Sequence, residues 1–242
     1  MALPSLPKFT HNFFVFLKVL VIIWGLELIL RGAFAVWQRE FLVQSEFSDI
    51  LAAFYIGIRF DGRIAAILAL PLLVFIISPF DRIKPAYIAL YTVLIPALLL
   101  IYMGDFAHYA YMSTRINYSV FSEMKDIKEA AGVVWSSYPV IPLTGLLILI
   151  GTIVYFTFKR ALFKKEAVRA TGNRLKDTIF SFTAALFFSA LLIYGQYAPN
   201  AFPLRWSEAY FSGKPEITAL ALNPAQNIYD TKPKTNISAY DM

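Results

Sequence analysis

Five long apolar runs, separated by short polar or charged intervals, dominate the pattern of this chain. They cover Phe13–Phe34, Phe54–Ile77, Tyr87–Met103, Tyr138–Phe158 and Thr178–Tyr194. Each approaches the roughly 20 residues that a helix needs to cross a hydrocarbon core. A bilayer interior holds no water for backbone N–H and C=O groups, so a spanning run must be helical. Pro71 and Pro96 fall inside the second and third runs, where neighbouring helices can re-satisfy the freed groups. The predicted fold class is therefore all-α, a polytopic membrane protein with five transmembrane helices.

The intervals carry pattern of their own. Trp37, Phe41, Leu42, Phe47, Ile50 and Leu51 recur at spacings of about three and four among polar residues, which predicts an interfacial amphipathic helix. Asn117–Val134 reads the same way, with Tyr118, Phe121, Ile127 and Ala131 set against Glu123, Lys125, Asp126, Lys128 and Glu129. The last stretch contains Pro203, Pro215, Pro224 and Pro233, so short helical turns and extended chain are expected there. On this pattern residues 1–198 form the membrane domain and 199–242 a linker-like tail.

Composition supports the membrane reading. The 242 residues are 58% hydrophobic with a mean hydropathy of +0.59, against about 45–50% apolar in soluble domains. There is no cysteine, hence no disulfide framework and no thiolate metal site. The two histidines, His11 and His108, are too far apart in sequence to read as a zinc motif.

The net charge of +6 does not point to nucleic acid. Between Lys159 and Lys176 stand seven basic residues against the single acid Glu166, so a charge equal to the whole excess falls in one loop between two apolar runs. That is a topology signal. It assigns this loop, Asp81–Lys84 and the amino terminus to the cytoplasmic side. Residues 35–53, 104–137 and the carboxyl tail then face outward. Ala33-Phe34-Ala35 has the small residues of a signal-peptide cleavage site. Glu27 and Arg31 stand where such a site wants uncharged residues, so the first run is read as a span.

Charged residues gather at the outer ends of these runs. Arg59 and Arg63 are four apart on one helical face, with Asp61 turned about 200° from Arg59. Glu27 and Arg31 are likewise four apart and read as each other's partners. Asp105 and His108 follow the outer end of the third run, so these polar residues form a belt at one depth. The belt admits two readings: ion pairs that fasten helix ends, or an anionic head-group site with Arg59 and Arg63 forking onto a phosphate. Neither a Gly-rich phosphate loop nor a G-x-S-x-G or H-E-x-x-H motif occurs.

Three stretches resemble the membrane domain of the lipoteichoic acid synthase family, which includes phosphoglycerol transferases of the alkaline phosphatase and sulfatase superfamily. They are FYIGIRFDGRIAAILALP from Phe54, GDFAHYAYMSTRINYSVFSEMKD from Gly104 and FPLRWSEAYFSGKPEITALALNPAQNIYDT from Phe202. The resemblance implies five membrane helices followed by an extracytoplasmic catalytic domain with a threonine nucleophile and a divalent metal, Mn or Mg. That domain would move phosphoglycerol from phosphatidylglycerol to an acceptor. After Tyr194 the chain offers Glu208, Glu216, Asp230 and Asp241 and no histidine. No family catalytic residue, nucleophile or metal ligand therefore carries over, and no cofactor is expected in this chain. The implied role is to anchor and position a catalytic domain lying beyond Met242, with membrane lipids and that domain as partners. Arg59, Asp61, Arg63, Asp105, Arg115, Asn117 and Arg205 would lie beneath it as docking or lipid head-group residues. The alternatives are a small lipid-handling or transport protein and a scaffold for a separate enzyme.

Overall fold

The computed structural model describes residues 8–77, 83–120, 132, 135–136, 139–162, 174–197 and 202–233. Among them every regular element is helical. Four helices are long and apolar enough to cross a membrane, and a bent pair makes a fifth. The chain is an all-α polytopic membrane protein.

The first span, α1 (His11–Trp37), starts where Thr10 accepts the Phe13 N–H on its hydroxyl. A four-residue helix, α2 (Arg39–Leu42), follows, and α3 (Phe47–Ala69) begins the second span seven residues earlier than its apolar run. The amphipathic helix expected over 37–51 is thus divided among the end of α1, α2 and the first turn of α3. Polar Gln44, Ser45 and Glu46 form the break, and Glu46 takes the extended N-cap conformation of α3.

Pro71 bends the second span. It has no N–H to give to the Ile67 carbonyl, which accepts from Leu70 instead at 3.2 Å. The chain resumes as α4 (Pro71–Ile77) at 50° to α3. The next span, α5 (Lys84–Met112), carries two tyrosines to this bend: the Tyr91 hydroxyl donates to the Leu68 carbonyl at 3.0 Å and the Tyr87 hydroxyl to Pro71 at 2.9 Å. Tyr91→Phe should therefore lower stability against denaturant in detergent by about 1 kcal/mol, the scale of hydrogen bonds inside membrane proteins. An unchanged unfolding midpoint would show that the hydroxyl does not support the bend.

Spans four and five are α6 (Val140–Thr157), prolonged by a π-helical turn over Phe158–Leu162, and α7 (Arg174–Tyr194). A 3-10 turn (Trp206–Tyr210) and two short helices, α8 (Pro215–Ala221) and α9 (Pro224–Asp230), close the described chain. Asp81, Arg82, the interior of the basic loop with Lys164, Lys165 and Arg169, and most of Asn117–Val134 lie outside the described residues.

The interior has two parts. Phe13, Phe16, Val19, Leu20 and Ile23 of α1 meet Ala65, Ala66 and Ala69 of α3, whose small side chains let the backbones approach, with Leu72 and Tyr91 beside them. A second cluster joins Phe34, Phe60 and Tyr109 to Leu204, Ala209, Ile217 and Leu220, so residues 202–233 pack into one end of the bundle and cap it. Outside, Val21, Ile29, Val93, Ile148 and Phe187 stand exposed, and in α6 Gly151 is the one buried residue. A soluble protein would not leave so much contiguous apolar surface open, whereas acyl chains cover it in a bilayer.

Candidate functional site

The capped end holds a buried polar network built from four parts of the chain. Arg31, on the last third of α1, is its centre. Its Nε and Nη2 reach the two oxygens of Asp61 on α3 at 2.8 and 2.5 Å, a bidentate pair with both partners buried. The guanidinium lies flat against α3 because position 57 has no side chain: a Cβ there would overlap it, and the Gly57 carbonyl accepts from Nη2 at 3.1 Å. Only glycine permits that approach.

Nη1 points the other way, to the carbonyls of Leu220, Ala221 and Leu222, the middle one at 3.1 Å. Helix α8 is short, and its last four carbonyls need outside partners. All are provided for. Leu222 N–H bonds Thr218 at 3.0 Å, Arg115 Nε bonds Ala219 at 2.8 Å, and Arg31 takes Leu220 and Ala221. Two guanidinium groups at a helix C-terminus also oppose its negative dipole end.

Arg115 follows Ser113, which ends α5 in the left-handed conformation at φ 57° and turns the chain back over the bundle. Its guanidinium pairs with Asp105, and the other Asp105 oxygen accepts the Ile116 N–H at 2.9 Å. Arg115 also lies 3.8 Å from the centroid of the Phe34 ring. Burial lowers its pKa from the ordinary guanidinium value, with Asp105 acting in the opposite direction.

Asn223 joins the two pairs. Its Oδ1 caps α9 by accepting from Gln226 N–H at 3.2 Å. Its Nδ2 lies 2.8 Å from Asp61, 3.1 Å from Glu27 and 3.0 Å from the Tyr102 hydroxyl. Glu27 is therefore held by Asn223, not by Arg31 as helical spacing suggested. The reason is reach: Asp61 offers both oxygens to the guanidinium across the α1–α3 contact.

The other belt residues stand apart from this network. Among the described residues Arg63 makes no hydrogen bond to the carboxylate that Arg59 holds. Its Nε and Nη2 donate to the Ile193 and Tyr194 carbonyls at 2.7 and 3.2 Å, finishing the end of α7. Arg59 Nη1 reaches the Gln196 Oε1 at 2.7 Å and Nη2 the Glu208 carboxylate at 3.2 Å, and its guanidinium lies 4.6 Å from the Tyr55 ring centroid. Asn117 accepts from the Ser119 N–H at 2.9 Å, a local turn, and borders a cavity of about 370 Å³ with Arg115, Tyr210, Thr218 and Thr231. Arg205 places its guanidinium 5.1 Å from the Phe202 ring centroid, while its backbone N–H donates to Glu208.

Gly57, Tyr102, Gln196, Glu208 and Asn223 were not legible as site residues from the sequence. An Asn-Pro pair at 223–224 does mark a helix start, because asparagine caps and proline tolerates the first helical position. Nothing comparable marks Tyr102, one tyrosine among fourteen. No three acidic or histidine side chains gather as metal ligands among the described residues. No family model, curated protein or solved structure matches the chain.

Proposed function

We propose that the chain is the membrane-anchoring and positioning domain of a phosphoglycerol-transferase-like protein, with its capped end on the extracytoplasmic face of a bacterial cytoplasmic membrane. One observation carries the reading. The three stretches that resemble the lipoteichoic acid synthase family are far apart in sequence, yet they supply Gly57 and Asp61, Asp105 and Arg115, and Leu220 to Asn223, which meet in a single buried network. A chain needed only as a hydrophobic tether has no use for two buried ion pairs there. A platform that must present the segment after α9 in one fixed pose does. Lys159, Arg160, Arg174 and Lys176 stand at the ends of α6 and α7 away from the cap, as the positive-inside rule requires of a cytoplasmic side.

Native membranes test this. The tagged protein should carry, in its own chain or in a tightly held partner, a domain with a threonine nucleophile and a divalent metal, and should transfer labelled glycerol phosphate from phosphatidylglycerol. Arg31→Lys, which keeps the charge and loses the two-pronged fit to Asp61, should reduce that transfer severalfold while the protein stays in the membrane. Isolation of the tagged protein with neither such a domain nor any transfer would sink the proposal.

The transport alternative draws on Glu27, whose Oε2 is buried with no hydrogen-bond partner among the described residues. Glu27→Gln keeps the bond from Asn223, so an anchor tolerates it and a transport pathway does not.

A further inference from the structure

Glu208 sits in a socket of donors. Its carboxylate accepts from Arg59 Nη2 at 3.2 Å, from Gln196 Nε2 at 2.7 and 2.8 Å, and from the Arg205 N–H at 3.2 Å. Glu208 stands at the open side of the socket and Arg59 at its buried side. Arg59 is 7% exposed, and its Nη1 holds Gln196 by the Oε1 so that the amide N–H groups face the carboxylate. Gln196 is placed by Gly195, whose left-handed turn at φ 68° brings the chain under Leu204. Glu208 is 30% exposed on a five-residue turn, so side-chain rotation alone would release it to water.

One donor of the socket is unused. Arg59 Nε is buried and has no hydrogen-bond partner among the described residues. Glu208 meets the guanidinium at one nitrogen only, whereas an anion with two free oxygens on one atom could bridge Nη2 and Nε side-on. Around the socket Tyr55, Tyr197, Trp206 and Tyr210 are exposed. Half-wet tyrosine and tryptophan rings at a helix-bundle end mark the level of lipid head groups.

We propose that Arg59, Gln196 and the Arg205 amide form a phosphate-oxyanion site, which Glu208 occupies as an internal ligand until a phosphate group displaces it. The phosphate comes from a phospholipid head group or from solution, since both present the same pair of oxygens. A phosphodiester exchanges one negative charge for another and inorganic phosphate brings at least one, so Arg59 is never left unpaired. The site adds a ligand class to the rim of the proposed platform and rests on that reading only for its depth in the membrane.

The experiment uses the whole protein in mild uncharged detergent, with binding read by thermal shift. Two probes are titrated, dioctanoyl phosphatidylglycerol and inorganic phosphate, with dioctanoylglycerol as the phosphate-free control. Glu208→Gln removes the competing charge and keeps the side chain's shape, so phosphate binding should tighten by about tenfold. Adding Arg59→Gln to that variant should abolish the gain. Tightening for the lipid, absent for dioctanoylglycerol, assigns the site to head groups; tightening for inorganic phosphate alone assigns it to a soluble ligand. If Glu208→Gln, folded as judged by helix content and a single gel-filtration peak, binds both probes no better than the native protein, the Arg59–Glu208 contact is an ion pair and the proposal fails. Transfer activity does not enter this readout, so loss of the anchor reading and loss of the oxyanion site are distinguishable.

Discussion

Arg31→Met should release the 202–233 segment from the bundle and cost about 3–5 kcal/mol, the penalty for removing one partner of a buried ion pair. The loss has three parts. Asp61 would keep a buried charge with Asn223 as its remaining partner. The Leu220 and Ala221 carbonyls at the end of α8 would lose their donor. The Gly57 carbonyl would lose its extra bond from Nη2. Protease cleavage around the Trp206–Tyr210 turn, which Ala209 anchors in the cap, reads the release directly in detergent or in everted and right-side-out vesicles. Native protein should resist and Arg31→Met should be cut, with the five spans left intact. The double variant Arg31→Met, Asp61→Leu separates the parts. It removes the stranded charge and should recover some stability, but the α8 carbonyls remain without donors, so recovery is incomplete. Equal resistance of native and single-variant protein would mean that the cap is held by its apolar contacts alone.

Gly57→Ala should destabilise the protein by about 1–3 kcal/mol, the range for forcing an extra carbon into a packed site. The sign is the informative part. In a helix interior alanine is favoured over glycine by about 1 kcal/mol, so propensity predicts a gain. The structure predicts a loss, because the new methyl group would occupy the space of the Arg31 guanidinium and push it off Asp61. Gly25→Ala on α1 is the control: no atom lies within 4 Å of that Cβ, so this variant should be neutral or slightly stabilising. Unfolding midpoints of the two variants in the same detergent settle the matter. A stabilised Gly57→Ala would show that Arg31 does not need the flat approach to α3.

Both expectations depend on pairings that spacing along a helix could not reveal. Glu27 and Arg31 are four residues apart, and in an isolated helix they would pair. In the bundle the carboxylate that faces Arg31 comes from α3, thirty residues on, and forms two bonds with the guanidinium plane where Glu27 could form fewer. Arg59 and Arg63 present the same lesson. They share a face and both reach the stretch 193–196 at the end of α7, Arg63 through the Ile193 and Tyr194 carbonyls and Arg59 through the Gly195 carbonyl and Gln196, and Arg59 alone goes on to bond Glu208. Asp61, placed on the other side of α3 by its 200° offset, is the one of the three whose separation from its neighbours was readable in advance.

Arg59, Asp61 and Arg63, expected at a helix end, fall in the middle of α3 because that helix starts seven residues before its apolar run. The hydrophobic pattern by itself determined the five spans and their helical form. These follow from local rules, since bilayer thickness sets the length of an apolar run and the absence of water forces its backbone into a helix. It also carried the polar belt as a set of residues, because charge within an apolar run is conspicuous. Only the tertiary structure decided which members of that belt meet. Pairing among buried charges depends on helix rotation and on backbone approach at single positions such as Gly57, and neither leaves a period in the sequence. It likewise turned a proline-marked tail into a cap, because the value of α8 and α9 lies in carbonyls and an asparagine that meet Arg31, Arg115, Glu27 and Asp61 only once all the spans are side by side.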